Sequence, residues 1–141
     1  MSLLFLLVLT SMALVSCHSR GVSPTAQQNS EIIGVVWRLR EIQRTNGQTV
    51  VVDEPDKYTL ELLPNGQVRI RADCNRGFGS YTMKGSEISF HKTAYTMAAC
   101  PPGSLFDEFT RNLHEANSYV VKDGNLYIAY GIDAGTMKFA K

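Results

Sequence analysis

Charge of one sign is what this sequence most plainly lacks: fourteen Lys and Arg face thirteen Asp and Glu, a formal net charge of +1. Without a global positive field, nucleic acid is not an expected partner. Beyond residue 16 there is no long apolar run, so nothing later in the chain has the roughly 20 residues a membrane-spanning helix needs. Histidine and cysteine are scarce, at three each, with no Cys-x-x-Cys and no paired histidines at coordinating spacing. That excludes the usual zinc ligand sets, and no metal or cofactor is expected. No glycine-rich loop precedes a helix, and Ser80, Ser86 and Ser104 lack the strand-turn-helix setting of an activated nucleophile. His18, His91 and His114 fall in a polar segment, on the outer face of a strand and off a helix's apolar stripe, so each reads as a solvated residue. Asp107 and Glu108 are neighbours on a helix and do not face each other; the helix dipole explains them in a first turn. No catalytic residue is therefore assigned, and the chain is not expected to be an enzyme.

Charge is also missing from the first sixteen residues, MSLLFLLVLTSMALVS, and Cys17 follows at once. An apolar stretch of roughly 13 residues matches the core of an export signal and is too short to span a bilayer. Leu14-Val15-Ser16-Cys17 resembles the bacterial lipobox, in which a small residue precedes a cysteine that is acylated and becomes the new amino terminus. Several acyl chains on one residue anchor a protein stably, whereas one chain holds it only marginally. The expected layout is a lipoprotein signal at 1–16, lipidated Cys17 with a polar tether over 17–31, and one domain over 32–141. By similarity to sorting rules in enteric bacteria, His18 after the cysteine directs the protein to the outer membrane, facing the periplasm.

The 141-residue chain has room for a single core after signal removal. From Ile32 onward short alternating segments are separated by turn signals, the pattern of antiparallel sheet. In one strand Val35, Trp37 and Leu39 share a face opposite Arg38 and Arg40. Asn65-Gly66 joins a hairpin whose second strand points Val68, Ile70 and Ala72 inward and Arg69 and Arg71 outward, and continuing that parity puts Cys74 on the apolar side. The alternating arginines read as a solvated face. Further strands are expected at 78–83, 87–91, 118–122, 125–130 and 136–140. One helix is expected over about 104–116, with Ser104 as N-cap and Leu105, Phe106, Phe109, Leu113 and Ala116 on one stripe. The fold class is therefore α+β: a curved, largely antiparallel, open barrel-like sheet packed on one helix.

Export would place Cys74 and Cys100 in an oxidising compartment, where such a pair more often forms a disulfide than a reactive site. Two unbonded buried thiols, or a metal or redox site, are the alternatives.

Asp73-Cys74-Asn75-Arg76 and Thr96-Met97-Ala98-Ala99-Cys100-Pro101 resemble the signature of the META domain (HslJ-like) family of bacterial lipoproteins. Trp37, Leu39, Cys74, Asn75, Gly79, Tyr81, Thr96, Cys100 and Phe109 match, and the likeness spans Ile32 to Lys141. It departs at Met97, where the family commonly has Arg, so no role of that charge carries over. The resemblance implies a small α+β unit with a curved antiparallel sheet around one helix, similar to lipoprotein pilotins. It also implies a link to heat stress and antibiotic resistance without an established reaction. Trp37, Asn75, Gly79, Tyr81 and Thr96 are the motif positions that could contact a ligand. For Asn75 the competing reading is that its amide satisfies backbone groups where the strand turns. The expected function is a noncatalytic, monomeric envelope lipoprotein binding a protein segment or lipid-like group, with a pilotin-like chaperone as the alternative.

Overall fold

A computed structural model describes residues 29–141. The expected signal, Cys17 and the tether up to residue 28 lie outside them. Among the described residues, besides short helical turns at 29–32 and Pro55–Lys57, nine strands and one longer helix follow in chain order: β1 (Val36–Arg44), β2 (Thr49–Val51), β3 (Tyr58–Leu62), β4 (Gln67–Ala72), β5 (Asn75–Lys84), β6 (Glu87–Tyr95), α1 (Phe106–His114), β7 (Ala116–Lys122), β8 (Asn125–Tyr130) and β9 (Gly135–Ala140). Strands β3 to β9 follow one another around the sheet, each antiparallel to the next, and β9 pairs back onto β1. The sheet thus closes as an eight-strand barrel, with β2 adding a short ninth strand beside β1. Pairing β1 with β9 removes the free edge that each would otherwise present to stray strands.

Alternation puts Trp37 and Leu39 inside on β1, and a bulge between Leu39 and Glu41 resets the parity so that Ile42 also points inward. Leu60, Leu62, Leu126, Ile128, Met137 and Phe139 are fully buried with them. The β7–β8 turn uses Asp123 and Gly124, both with positive φ, as a two-residue hairpin requires.

Two plugs close the barrel's ends. Helix α1 covers one, burying Phe109 and Leu113 and meeting Tyr58 and Phe139 through aromatic contacts. It fits there because β6 and β7 part company, sharing a single register pair, Glu87 with Ser118. At the opposite pole residues 29–32 form a helical turn whose Ile32 is fully buried. The Trp37 indole donates to the Ile32 carbonyl at 3.0 Å, and the Tyr119 hydroxyl donates to the Asn29 side-chain oxygen.

Three expectations need correction. Cys74 is exposed rather than inward, because Asp73 takes φ 56° and the tight Asp73-Cys74 turn breaks the parity of β4. The N-cap is Leu105 and not Ser104; the Ser104 hydroxyl instead accepts from the Phe106 amide at 3.2 Å, while the Leu105 amide donates to the Tyr58 hydroxyl at 2.9 Å. The helix ends at His114, before Ala116, which already opens β7.

Candidate functional site

The family-motif residues converge where the β4–β5 turn meets the segment after β6. Asn75, the first residue of β5, is only 1% exposed. Its Oδ1 accepts from Thr96 Oγ1 at 2.9 Å and from the Ala98 amide at 2.8 Å. Its Nδ2 donates to the Ala98 carbonyl at 3.0 Å and to Cys100 Sγ at 3.3 Å. A carboxamide offers two donors and two lone pairs, and here all are taken. The side chain pairs with Ala98 as a neighbouring strand would, continuing the sheet past the end of β6. Thr96 Oγ1 also accepts from the Arg76 amide at 3.0 Å.

Cys74 and Cys100 are joined, with an S–S distance of 2.01 Å and Cα atoms 5.5 Å apart. The disulfide and Asn75 thus bind the same segment, residues 96–100, to the same turn, so together they set the approach of the chain into α1. Neither sulfur is a free thiolate, which removes the nucleophile and metal chemistry a cysteine pair could have offered.

The remaining motif residues lie elsewhere. Trp37 is buried deep in the barrel with its indole N–H engaged. The Tyr81 hydroxyl donates to the Leu63 carbonyl at 2.8 Å, and burial pushes its phenol pKa upward, keeping it a neutral donor. Gly79 sits where β5 and β6 are irregular; a Cβ there would come within 2.9 Å of the His91 carbonyl and the Thr93 methyl. Its neighbour Gly77 leaves room for the Tyr95 ring, 2.4 Å from where a Cβ would stand. Glycine is needed at both for close approach rather than for a ligand.

Two groupings were not read from the sequence. On the outer face, His91 Nε2 lies 3.1 Å from Thr82 Oγ1 and 3.0 Å from Ser89 Oγ. A serine–histidine contact is what a hydrolase needs, but this one stands on an open, exposed strand surface, and no described carboxylate bonds the imidazole's other nitrogen. The spacing Ser89-x-His91 was the available signal, since alternate strand residues share a face. The second grouping flanks α1: Arg44 grips Glu108 with two bonds, Nε to Oε1 at 2.7 Å and Nη2 to Oε2 at 2.6 Å. These bonds hold the Glu108 carboxyl below its ordinary value against the opposing effect of burial. Asn112, also on α1, is buried; its side chain acts on the Tyr130 hydroxyl, but its Nδ2 makes no bond of hydrogen-bond geometry.

No curated protein matches the chain. Among solved structures it is similar to a protein from Burkholderia xenovorans determined by NMR, with a TM-score of 0.64 and 21% identity over 79% of this chain and 83% of that one. It is also similar to a DUF4847 family protein from Bacteroides vulgatus, with a TM-score of 0.59 and 12% identity over 79% of this chain and 95% of that one. At these identities the likeness is one of fold. Neither the META domain nor the DUF4847 family is a known enzyme family. Residues 30–141, nearly the whole described chain, match the META domain, and the chain belongs to that family.

Proposed function

We propose that the protein is a noncatalytic envelope lipoprotein, anchored through acylated Cys17 in the outer membrane and serving as a binding or structural module in stress tolerance. The observation that carries the noncatalytic reading is the saturation of Asn75: its carboxamide spends all four of its hydrogen bonds on its own chain, and the Thr96 hydroxyl is engaged with it. The disulfide supports export, because such bonds persist in oxidising compartments. The apolar leader ending at Cys17 supports the anchor.

A pilotin-like role that houses an acyl chain or amphipathic tail would require apolar volume inside the barrel. The described interior is filled by Trp37, Phe109, Phe139 and their neighbours, and grooves of about 290 to 450 Å³ lie along its outer surface. That favours recognition by an outside face.

The anchor is tested by fractionating cells that carry Cys17→Ala. The parent protein should sediment with membranes and carry acyl mass on its first residue, and the variant should appear in the soluble periplasmic fraction. Membrane sedimentation of the variant equal to the parent's would refute acylation at Cys17 as the attachment.

A further inference from the structure

The outer surface of β4, β5 and β6 carries a cationic, partly aromatic face that the fold does not use. The register places Arg71 directly opposite Arg76, and Arg69 opposite Phe78, which in turn faces Ala94. Like charges opposed on neighbouring strands repel, so the Arg71–Arg76 pair does nothing for the sheet. Among the described residues neither forms an ion pair: Arg71 Nε donates to the Asp73 carbonyl and Arg76 Nη1 to the Asn75 carbonyl, each at a long 3.4 Å. Glu61, the nearby carboxylate, is engaged by Arg69 at 3.4 Å. Lys92 is exposed and falls between the Phe78–Ala94 and Ser80–His91 pairs, adding a further positive charge. In their midst Phe78 is 68% exposed.

The geometry points to this face as a docking surface for the anionic phospholipid headgroups of the membrane that holds the anchor. Guanidinium forks match phosphate oxygens bidentately, and an exposed apolar ring among them can bury itself at the headgroup–acyl boundary. The occupant is argued from charge and from reach. Residues 18–28 span at most about 40 Å when extended, so a chain tethered at Cys17 has the reach to lay the side of its barrel on the bilayer. This inference rests on the proposed anchor, and the test separates the two.

The lipidated chain carrying Phe78→Trp is incorporated into vesicles of phosphatidylglycerol with phosphatidylethanolamine, or of phosphatidylcholine alone, some made with brominated acyl chains. Trp37 is fully buried and supplies a constant background. Flotation with both vesicle types reports the anchor. Docking is reported by a blue-shifted F78W emission quenched by brominated lipid on the anionic vesicles only. Near an anionic surface each arginine is expected to favour docking about fivefold, so adding R71Q and R76Q should cut the docked-to-undocked ratio about 25-fold with unchanged near-ultraviolet dichroism. Emission that stays water-like on anionic vesicles overturns the inference and leaves an acidic protein segment as the occupant. Equal quenching on both vesicle types, or quenching indifferent to R71Q/R76Q, overturns it too. A chain that fails to float with phosphatidylcholine sinks the anchor, yet its emission with anionic vesicles still decides the docking.

Discussion

Asn75 shows most clearly how single residues hold this domain. Replacing it with Ala removes its bonds to the Ala98 amide and carbonyl and to the Thr96 hydroxyl, which keeps only its bond from the Arg76 amide, and each lost hydrogen bond is worth about 0.5–1.5 kcal/mol. Asn75→Ala should therefore lose about 2–4 kcal/mol in urea unfolding of the oxidised protein, and a loss within error of zero would contradict the bonding described. The role of Asn75 in satisfying backbone groups was legible in the sequence, as was the pairing of the two cysteines. The outward turn of Cys74 was not, because strand parity is a local rule and one left-handed residue, Asp73, suspends it. Glu108 brings a pH dependence of the same local kind. Its folded carboxyl sits below the unfolded value of about 4.5, chiefly through its hydrogen bonds to Arg44. Such a group stabilises the fold fully above that value and progressively less as pH falls through its lowered folded pKa. Glu108→Gln should be less stable than the parent at pH 7, with the gap narrowing toward pH 3 in urea titrations. A gap independent of pH would assign the loss to packing instead.

Among the elements, α1 and the β6–β7 seam behave as one unit. The helix was legible because Phe109 and Leu113 repeat at helical spacing, but its start was not, since the Tyr58 hydroxyl that meets the Leu105 amide comes from 47 positions away. Asn112 went unnoticed because a polar residue beside an apolar stripe gives no sign of being buried. Its amide nitrogen makes no bond of hydrogen-bond geometry, only a weak interaction with the Tyr130 hydroxyl, so an apolar side chain of similar size relieves a desolvation cost. Asn112→Leu should raise stability by about 1–2 kcal/mol in urea, whereas Phe109→Ala should lower it by about 3–5 kcal/mol through the cavity left under the helix. Since β6 and β7 share only one register pair, amides at that junction should exchange with deuterium faster than those of the β3–β4 and β8–β9 ladders. Uniform protection around the barrel would show that the seam is no weaker than the rest.

For the molecule as a whole, closure is the feature the sequence withheld. Each strand shows its own alternation, but neither β1 nor β9 marks the other as its partner, almost the full length of the domain away. Alternation alone therefore supports a curved, barrel-like antiparallel sheet, as found, without fixing the β1–β9 pairing that closes it. The disulfide adds a different constraint, because it lies far from the β1–β9 closure and staples the β4–β5 turn to the segment entering α1. Cross-linking positions 26 apart should stabilise by about 3–4 kcal/mol on the chain-entropy account. Typical domains of this size hold about 5–15 kcal/mol in total, so the staple is a large share without being the whole. Reduction should therefore lower the urea midpoint by that energy while leaving the far-ultraviolet spectrum of the sheet in place at 25 °C. Thiol reagents should label the native protein at Cys74 and Cys100 only after reductant is added. A reduced protein that loses its sheet spectrum outright would show that barrel closure depends on the staple, and one with an unmoved midpoint would show that Asn75 alone suffices to hold residues 96–100 to the turn.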